Sequence, residues 1–225
     1  MPVHVAFTPD EAAPAAVGVV VDVLRATSTI AQALAAGYER VLCCAEIEEA
    51  LALREELPDS LLGGERKAVR VEGFDVGASP REFLEPRART LILSTTNGTR
   101  AILETARRCE QVLLGSLLNL SAVAGAVEDD DVEVVCAGFQ GAFALDDAYC
   151  AGRIVQLLSA ERTDGAIAAE LVARAFPTAL DGLNARTYGP PGLEEDIAYC
   201  AQEDLLDAVP LLTGMIGPAA EILLR

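Results

Sequence analysis

Histidine is nearly absent from the 225 residues: His4 stands alone near the start, and tryptophan is missing altogether. With no second histidine and none in a plausible place, a Ser-His-Asp triad or a phosphohistidine mechanism has no base to work with. The six cysteines (Cys43, Cys44, Cys109, Cys136, Cys150, Cys200) show no CxxC spacing, so a zinc site is not expected. Nor do they suit a cysteine phosphatase, which needs Arg six residues after its Cys. The residues there are Glu49, Ala50, Gly115, Ala142, Gln156 and Leu206. Neither GxxxxGK[ST] nor GxGxxG occurs, which removes the two commonest nucleotide-binding signatures. The start MPVHVAFTPDEAAP lacks a basic region followed by a hydrophobic stretch, and no run of about eighteen apolar residues follows anywhere. The expectation is a cytoplasmic protein with reduced thiols and no membrane span. Positive charge is scarce as well: 17 Lys and Arg against 35 Asp and Glu give a formal charge of −18, which opposes binding to nucleic acid or anionic membrane. A small anionic substrate remains admissible, because the field at a site is set by local arginines and backbone amides. Sixteen of the 17 basic residues are Arg and only Lys67 is Lys, a bias read as genome composition or a salty habitat.

Hydrophobic residues are abundant, at 52%, enough for one sizeable core, and the expectation is a single α/β domain over residues 1–225. The nearly unbroken β-branched run VGVVVDV predicts a strand, and the stretch ending in ALAAG predicts a helix closed by Gly37. The pattern returns in RVLCCA then EIEEALALREEL, TLILST then NGTRAILETARR, QVLLGS then NLSAVAGAV, and VEVVCAG then LDDAYCAGRIVQLLS. Strands without polar alternation are buried on both faces, so these units predict a three-layer αβα sandwich around a largely parallel sheet. Residues 63–80 read as a long ordered loop with room for a short strand, and the acidic run Glu128 to Asp131 as a solvated turn. Past Ser159 the chain reads as mostly helical, with helices over TDGAIAAELVARAF and LEEDIAYCAQEDLLDAV and a short apolar run VPLLTGMIG.

In such sheets ligands bind at the carboxyl ends of strands, where loops lead into helix N-termini with free amides. The first strand ends in Asp22, Arg25, Thr27, Ser28 and Thr29 around a helix start, a composition suited to a phosphoryl group. A second end carries Thr95, Thr96, Asn97, Gly98, Thr99 and Arg100, and a third Ser116 and Asn119. Each cluster has an ordinary reading too, as a helix cap, a turn or a local ion pair; their coincidence on corresponding strand ends favours a shared anion pocket. Asp22, Glu65, Asp75, Asp146 and Asp147 are the carboxylates near it, and oxygen ligands of this kind suit Mg²⁺. The metal set is drawn as Asp22, Asp75, Asp146 and Asp147; Asp146 and Asp147 could equally be favourable charge in a first helical turn. Asp22 and Arg25, with Asp75, are the expected catalytic groups, Asp22 acting either as nucleophile or as metal ligand and base. Asp22 also invites comparison with haloacid-dehalogenase phosphatases, but their second Asp two residues on is Leu24 here. Arg66 is expected to reach in from the glycine loop to a second acid group, with Arg25 and Arg100 near the phosphoryl.

The ordered segments VVVDVLRATSTI, GGERKAVRVEGFDVGASP, STTNGTRA, VLLGSLLN, CAGFQGAFALDDAYCAG and DIAYCAQEDLLDAVP resemble the 2-phosphosulfolactate phosphatase family across nearly the whole chain. The resemblance implies a three-layer α/β fold, Mg²⁺, and hydrolysis of the phosphate ester of a short sulfonated acid, a step in coenzyme M biosynthesis. The chain departs from the family pattern at Ala68, where a glycine is usual, at Ala78, where an asparagine is usual, and at Asp146, where a glutamate is usual. The alternatives carried beside a phosphatase are a non-catalytic phospho-ligand-binding protein and a phosphotransferase. The expected partner is a small anionic phosphoester, and self-association into a homo-oligomer is compatible with the sequence.

Overall fold

The computed structural model describes residues 2–127, 130–189 and 191–225. In chain order the strands are β1 (Pro2–Ala6), β2 (Ala15–Val21), β3 (Arg40–Cys43), β4 (Leu61–Arg66), β5 (Val69–Arg70), β6 (Thr90–Ser94), β7 (Cys109–Gly115), β8 (Val132–Cys136), β9 (Glu161–Arg162), β10 (Pro210–Ile216) and β11 (Ala219–Leu224). The α-helices are α1 (Ala26–Ala36), α2 (Ile47–Glu56), α3 (Gly98–Thr105), α4 (Leu120–Ala126), α5 (Leu145–Leu157), α6 (Asp164–Arg174), α7 (Ala179–Asn184) and α8 (Glu194–Cys200). All five expected strand-helix units are present, β2-α1, β3-α2, β6-α3, β7-α4 and β8-α5. Of the acidic run from Glu128 to Asp131, Glu128 and Asp129 lie outside the described residues.

One sheet runs through the chain in the order β5-β4-β6-β3-β11-β10-β7-β2-β8-β1-β9. Valine-rich β2 lies between β7 and β8 and pairs parallel with both, Val19 opposite Leu113 on one side and Val134 on the other. Its side chains alternate between two cores. Val17, Val19 and Val21 meet Val123 of α4, Ile154 and Val155 of α5 and Ala166 and Ala169 of α6. Val20 faces the opposite way, toward Ile30 and Leu34 of α1 and Ile102 of α3. Helices therefore cover both faces, and the continuous apolar runs follow from burial on both sides. Gly152 permits the tight α5-α6 crossing, since a Cβ there would sit 2.0 Å from the Ala169 carbonyl oxygen. All six cysteines are free and buried.

Three parts differ from the sequence reading. β10 and β11 form an antiparallel hairpin wedged between β7 and β3, so the apolar run near the C-terminus is central to the sheet. β1, interrupted by His4 and followed by no helical segment of the repeating pattern, pairs parallel with β8. The helix expected over residues 193–209 stops at Cys200. Beyond it the Asp204 N–H donates to the Leu117 carbonyl and the Leu206 N–H to the Leu118 carbonyl, while the Asp204 carboxylate accepts from both the N–H and the hydroxyl of Ser121. Those partners lie across the fold and displace the i to i−4 bonds a helix needs. Within the expected long loop, β4 extends the sheet and turns into β5.

Candidate active site

The carboxyl ends of β2, β6 and β8 open into a cavity of about 300 Å³, within the size range of small-ligand sites. Its walls come from Asp22 after β2, Thr95, Thr96 and Asn97 after β6, and Phe139 and Gln140 after β8. Asp146, at the start of α5, completes this strand-end part. The remainder comes from two loops: Glu65, Lys67 and Ala68 around the β4-β5 turn, and Arg186, Tyr188 and Gly189 between α7 and α8.

Asp22 is held where β2 passes into α1. Its N–H donates to the Thr27 hydroxyl at 3.1 Å, that hydroxyl donates back to the Asp22 carbonyl, and Asp22 Oδ1 accepts from the Ala26 N–H at 3.3 Å. Gly98, the first residue of α3, allows the two helix starts to meet here, because a Cβ would fall 2.3 Å from Ala26 Cβ and 2.6 Å from Asp22 Oδ2. Burial pushes the Asp22 carboxyl up to about 7; the Ala26 N–H opposes the rise, the charges of Glu65 and Asp146 add to it, and Arg25 works against it. Asp146 is likewise raised by burial, against the pull of the Tyr188 hydroxyl that donates to it, the Asp147 N–H and the Arg186 guanidinium. Asp147 is raised further, by burial and then by Asp146 and Asp22.

The carboxylates differ in what they have left to offer. Asp147 accepts from the Val23 N–H at 2.9 Å and the Gly138 N–H at 3.0 Å, one on each oxygen, and so ties the end of β2 to the loop after β8. Glu65 accepts from the Thr96 N–H and hydroxyl on Oε1 and from the Ala68 N–H on Oε2. Of the oxygens of Asp22, Glu65, Asp146 and Asp147, only Asp22 Oδ2 and Asp146 Oδ2 accept no hydrogen bond from the described residues. Among those residues no group of three or more His, Cys, Asp or Glu converges as a ligand set. A pair of buried carboxylates, each with one free oxygen, fits Mg²⁺, which takes one or two carboxylates and fills its other positions with water and substrate oxygens.

Arg25, with its side chain 9% exposed, donates to Asp196 Oδ2 at 2.5 Å and to the Ala68 carbonyl at 3.2 Å. Asp196, on α8, also accepts from the Ser79 hydroxyl at 2.6 Å. Asp196 and Tyr188 carried no signal at a strand end and escape a sequence reading. The segment RTYGPPG, an arginine and a tyrosine beside glycine and proline, was the available hint of a functional loop. Lys67, the single lysine of the chain, lines the cavity.

Several expected site residues are not brought into the cavity. Asp75 accepts from the Leu62 N–H and from Arg54, both at 2.8 Å, on the far side of the β4 loop. Arg66 donates to the carbonyls of Glu65, Ser94 and Ala45 and to the Ser94 hydroxyl, so it braces strand ends. Arg100 is exposed and pairs with Glu46 at 2.7 Å. Ser116 and Asn119 cap one another, and the Asn119 amide donates to the carbonyls of Leu114 and Ala208. Thr29 donates to the Ala78 carbonyl, Ser28 to the Val23 carbonyl and Thr99 to the Thr95 carbonyl, so these hydroxyls hold loops.

A family model described as 2-phosphosulpholactate phosphatase matches residues 4–215. A protein of Thermus thermophilus named "Probable 2-phosphosulfolactate phosphatase" is 40% identical over 213 residues, covering 89% of each chain. Proteins with the same name are 41% identical in Clostridium acetobutylicum, over 87% of this chain and 88% of the relative, and 39% identical in Symbiobacterium thermophilum, over 91% and 94%.

Proposed function

Because the chain belongs to the 2-phosphosulfolactate phosphatase family, a family of phosphatases, we propose that its strand-end cavity hydrolyses the phosphate monoester of a short acid of the 2-phosphosulfolactate type with the help of Mg²⁺, in the family's role in coenzyme M biosynthesis. The observation that carries the reading is the buried pair Asp22 and Asp146, each with a free oxygen in one small cavity. Asp22 Oδ2 and Asp146 Oδ2 would hold the cation, which when bound supplies a fixed positive charge against the phosphoryl oxygens.

Asp22 is the group at the reacting phosphorus on either of two routes. On the direct route water adds to phosphorus and gives its proton to the Asp22 carboxylate; the ester P–O bond breaks, and the leaving oxygen takes up a proton to become the hydroxyl of the product acid. On the covalent route Asp22 Oδ2 itself bonds to phosphorus as the ester P–O bond breaks and the leaving oxygen takes up a proton from solvent; water then adds to phosphorus, loses a proton to solvent and releases phosphate and the Asp22 carboxylate. Asp146 would hold the cation on this route. Trapping a phosphorylated Asp22 separates the two. The main test is phosphate release from 2-phosphosulfolactate with and without Mg²⁺. EDTA should abolish turnover and added Mg²⁺ restore it; an unchanged rate in metal-stripped protein would remove the cation from the proposal.

A further inference from the structure

We propose that Lys67 and Arg186 form the subsite that holds the second acid group of the substrate, so that this site selects phosphoesters carrying a carboxylate or sulfonate. The inference rests on the phosphatase reading above and deepens it.

Charge in the cavity is divided. Its strand-end part supplies Asp22 and Asp146, and the two loops supply Lys67 and Arg186 together with Glu65, whose two oxygens already accept from Thr96 and Ala68. The third cation on the wall, Arg25, is already committed to Asp196. Neither Lys67 nor Arg186 forms an ion pair with a carboxylate among the described residues, although acidic residues outnumber basic ones two to one in this chain. Arg186 in addition has its Nε buried without a hydrogen-bond partner among the described residues. A buried donor left unpaired is costly, and the terminal nitrogens of the same guanidinium are the part that can face a ligand.

The Lys67 backbone and the Arg186 side chain are held in place. Lys67 and Ala68 form a turn with φ of 54° and 62°, clamped by the Ala68 N–H on Glu65 at 2.5 Å and the Ala68 carbonyl on Arg25. Arg186 donates to the Tyr188 carbonyl, and the Tyr188 ring stacks on Phe139 with centroids 4.4 Å apart. A ligand therefore meets them without much loss of loop freedom.

A phosphoryl group is served by a cation on the two aspartates. One anion alone would leave the loop cations unanswered; a second acid group on the same molecule pairs with them. The planar Arg186 guanidinium suits a forked contact with carboxylate or sulfonate oxygens, and Lys67 adds a point charge. Arg66 and Arg100, the other arginines near strand ends, are bound to backbone carbonyls and to Glu46 and are not available.

The experiment compares the parent with Arg186→Met, Lys67→Met and Arg186→Lys. It reads kcat/KM for 2-phosphosulfolactate, 2-phospholactate and isopropyl phosphate, and in parallel the binding of sulfolactate, which has no phosphoryl group, by calorimetry. The parent should prefer the acid esters by roughly tenfold or more. Arg186→Met should cut the ratio of acid to neutral ester, and the affinity for sulfolactate, by about tenfold; Lys67→Met should cut both by less, and Arg186→Lys should retain part. An equal loss on all three esters, or equal rates in the parent, would overturn the subsite. If the parent releases no phosphate from any ester, the phosphatase reading fails, and sulfolactate binding still decides: an affinity unchanged by Arg186→Met overturns the inference.

Discussion

The cavity and the shallow groove beside it share Thr96, Asn97 and Gln140 yet are built on opposite principles. The groove is rich in arginine, with Arg66, Arg100 and Arg107 on its walls, and by composition it is the better anion site. Its arginines are nevertheless spent: Arg66 on carbonyls, Arg100 on Glu46 and Arg107 on Glu104. The cavity holds buried carboxylates that repel one another, and its loop cations Lys67 and Arg186 form no ion pair with a carboxylate among the described residues. What a charged side chain can do for a ligand depends on what the fold has left unpaired, and a count of arginines does not reveal that.

The contrast breaks most sharply at Asp22. Asp22→Asn should lower kcat by roughly a thousandfold while leaving the melting temperature unchanged or raised, since burial already disfavours the ionised form. Near-normal turnover would move the chemistry out of the cavity. Next in size is Asp196→Ala, which would strand the buried Arg25 guanidinium and remove the acceptor of the Ser79 hydroxyl. Breaking such a pair should cost about 3 kcal/mol, read as a fall of roughly 6–12 °C in Tm.

A smaller effect concerns pH. The Asp22 carboxyl is raised from 3.8 to about 7 in the folded chain, so its contribution to stability is fully present below pH 3.8 and is lost as pH rises through 7. Mg²⁺ bound to the ionised form should reverse this, raising Tm more at pH 8 than at pH 5; an equal rise at both, measured by calorimetry, would argue against a cation on these carboxylates. The smallest effect belongs to the groove. Arg100→Ala removes an ion pair whose side chains are 61% and 52% exposed, and should shift stability by less than about 0.5 kcal/mol and phosphate release by less than about twofold. A large loss there would mean that the groove takes part after all.

Much of the fold was legible because the signal is local. Runs such as VGVVVDV and TLILST can be buried only on both faces, and each is followed at once by a helix with its own punctuation. That Asp22, Thr95, Thr96 and Asn97 would meet at one cavity was legible for the same reason, since each follows the end of a recognisable strand. Lys67 and Arg186 were not. Lys67 sits in a turn whose place over the site depends on Glu65 and Arg25, and Arg186 belongs to a loop well past the last unit of the parallel pattern, which ends at Leu157.

The sequence by itself determined the layers, the strand ends that face the cavity and the family, because periodicity and ordered motifs are properties of neighbouring residues. Only the tertiary structure decided which polar groups remain free. It spent Asp75 on Arg54 and Leu62, Arg66 on three carbonyls and Asn119 on Leu114 and Ala208, and it left one oxygen each on Asp22 and Asp146. Hydrogen bonds and ion pairs of that kind join residues distant in the chain, and a buried polar group takes whichever partner the packing brings within reach.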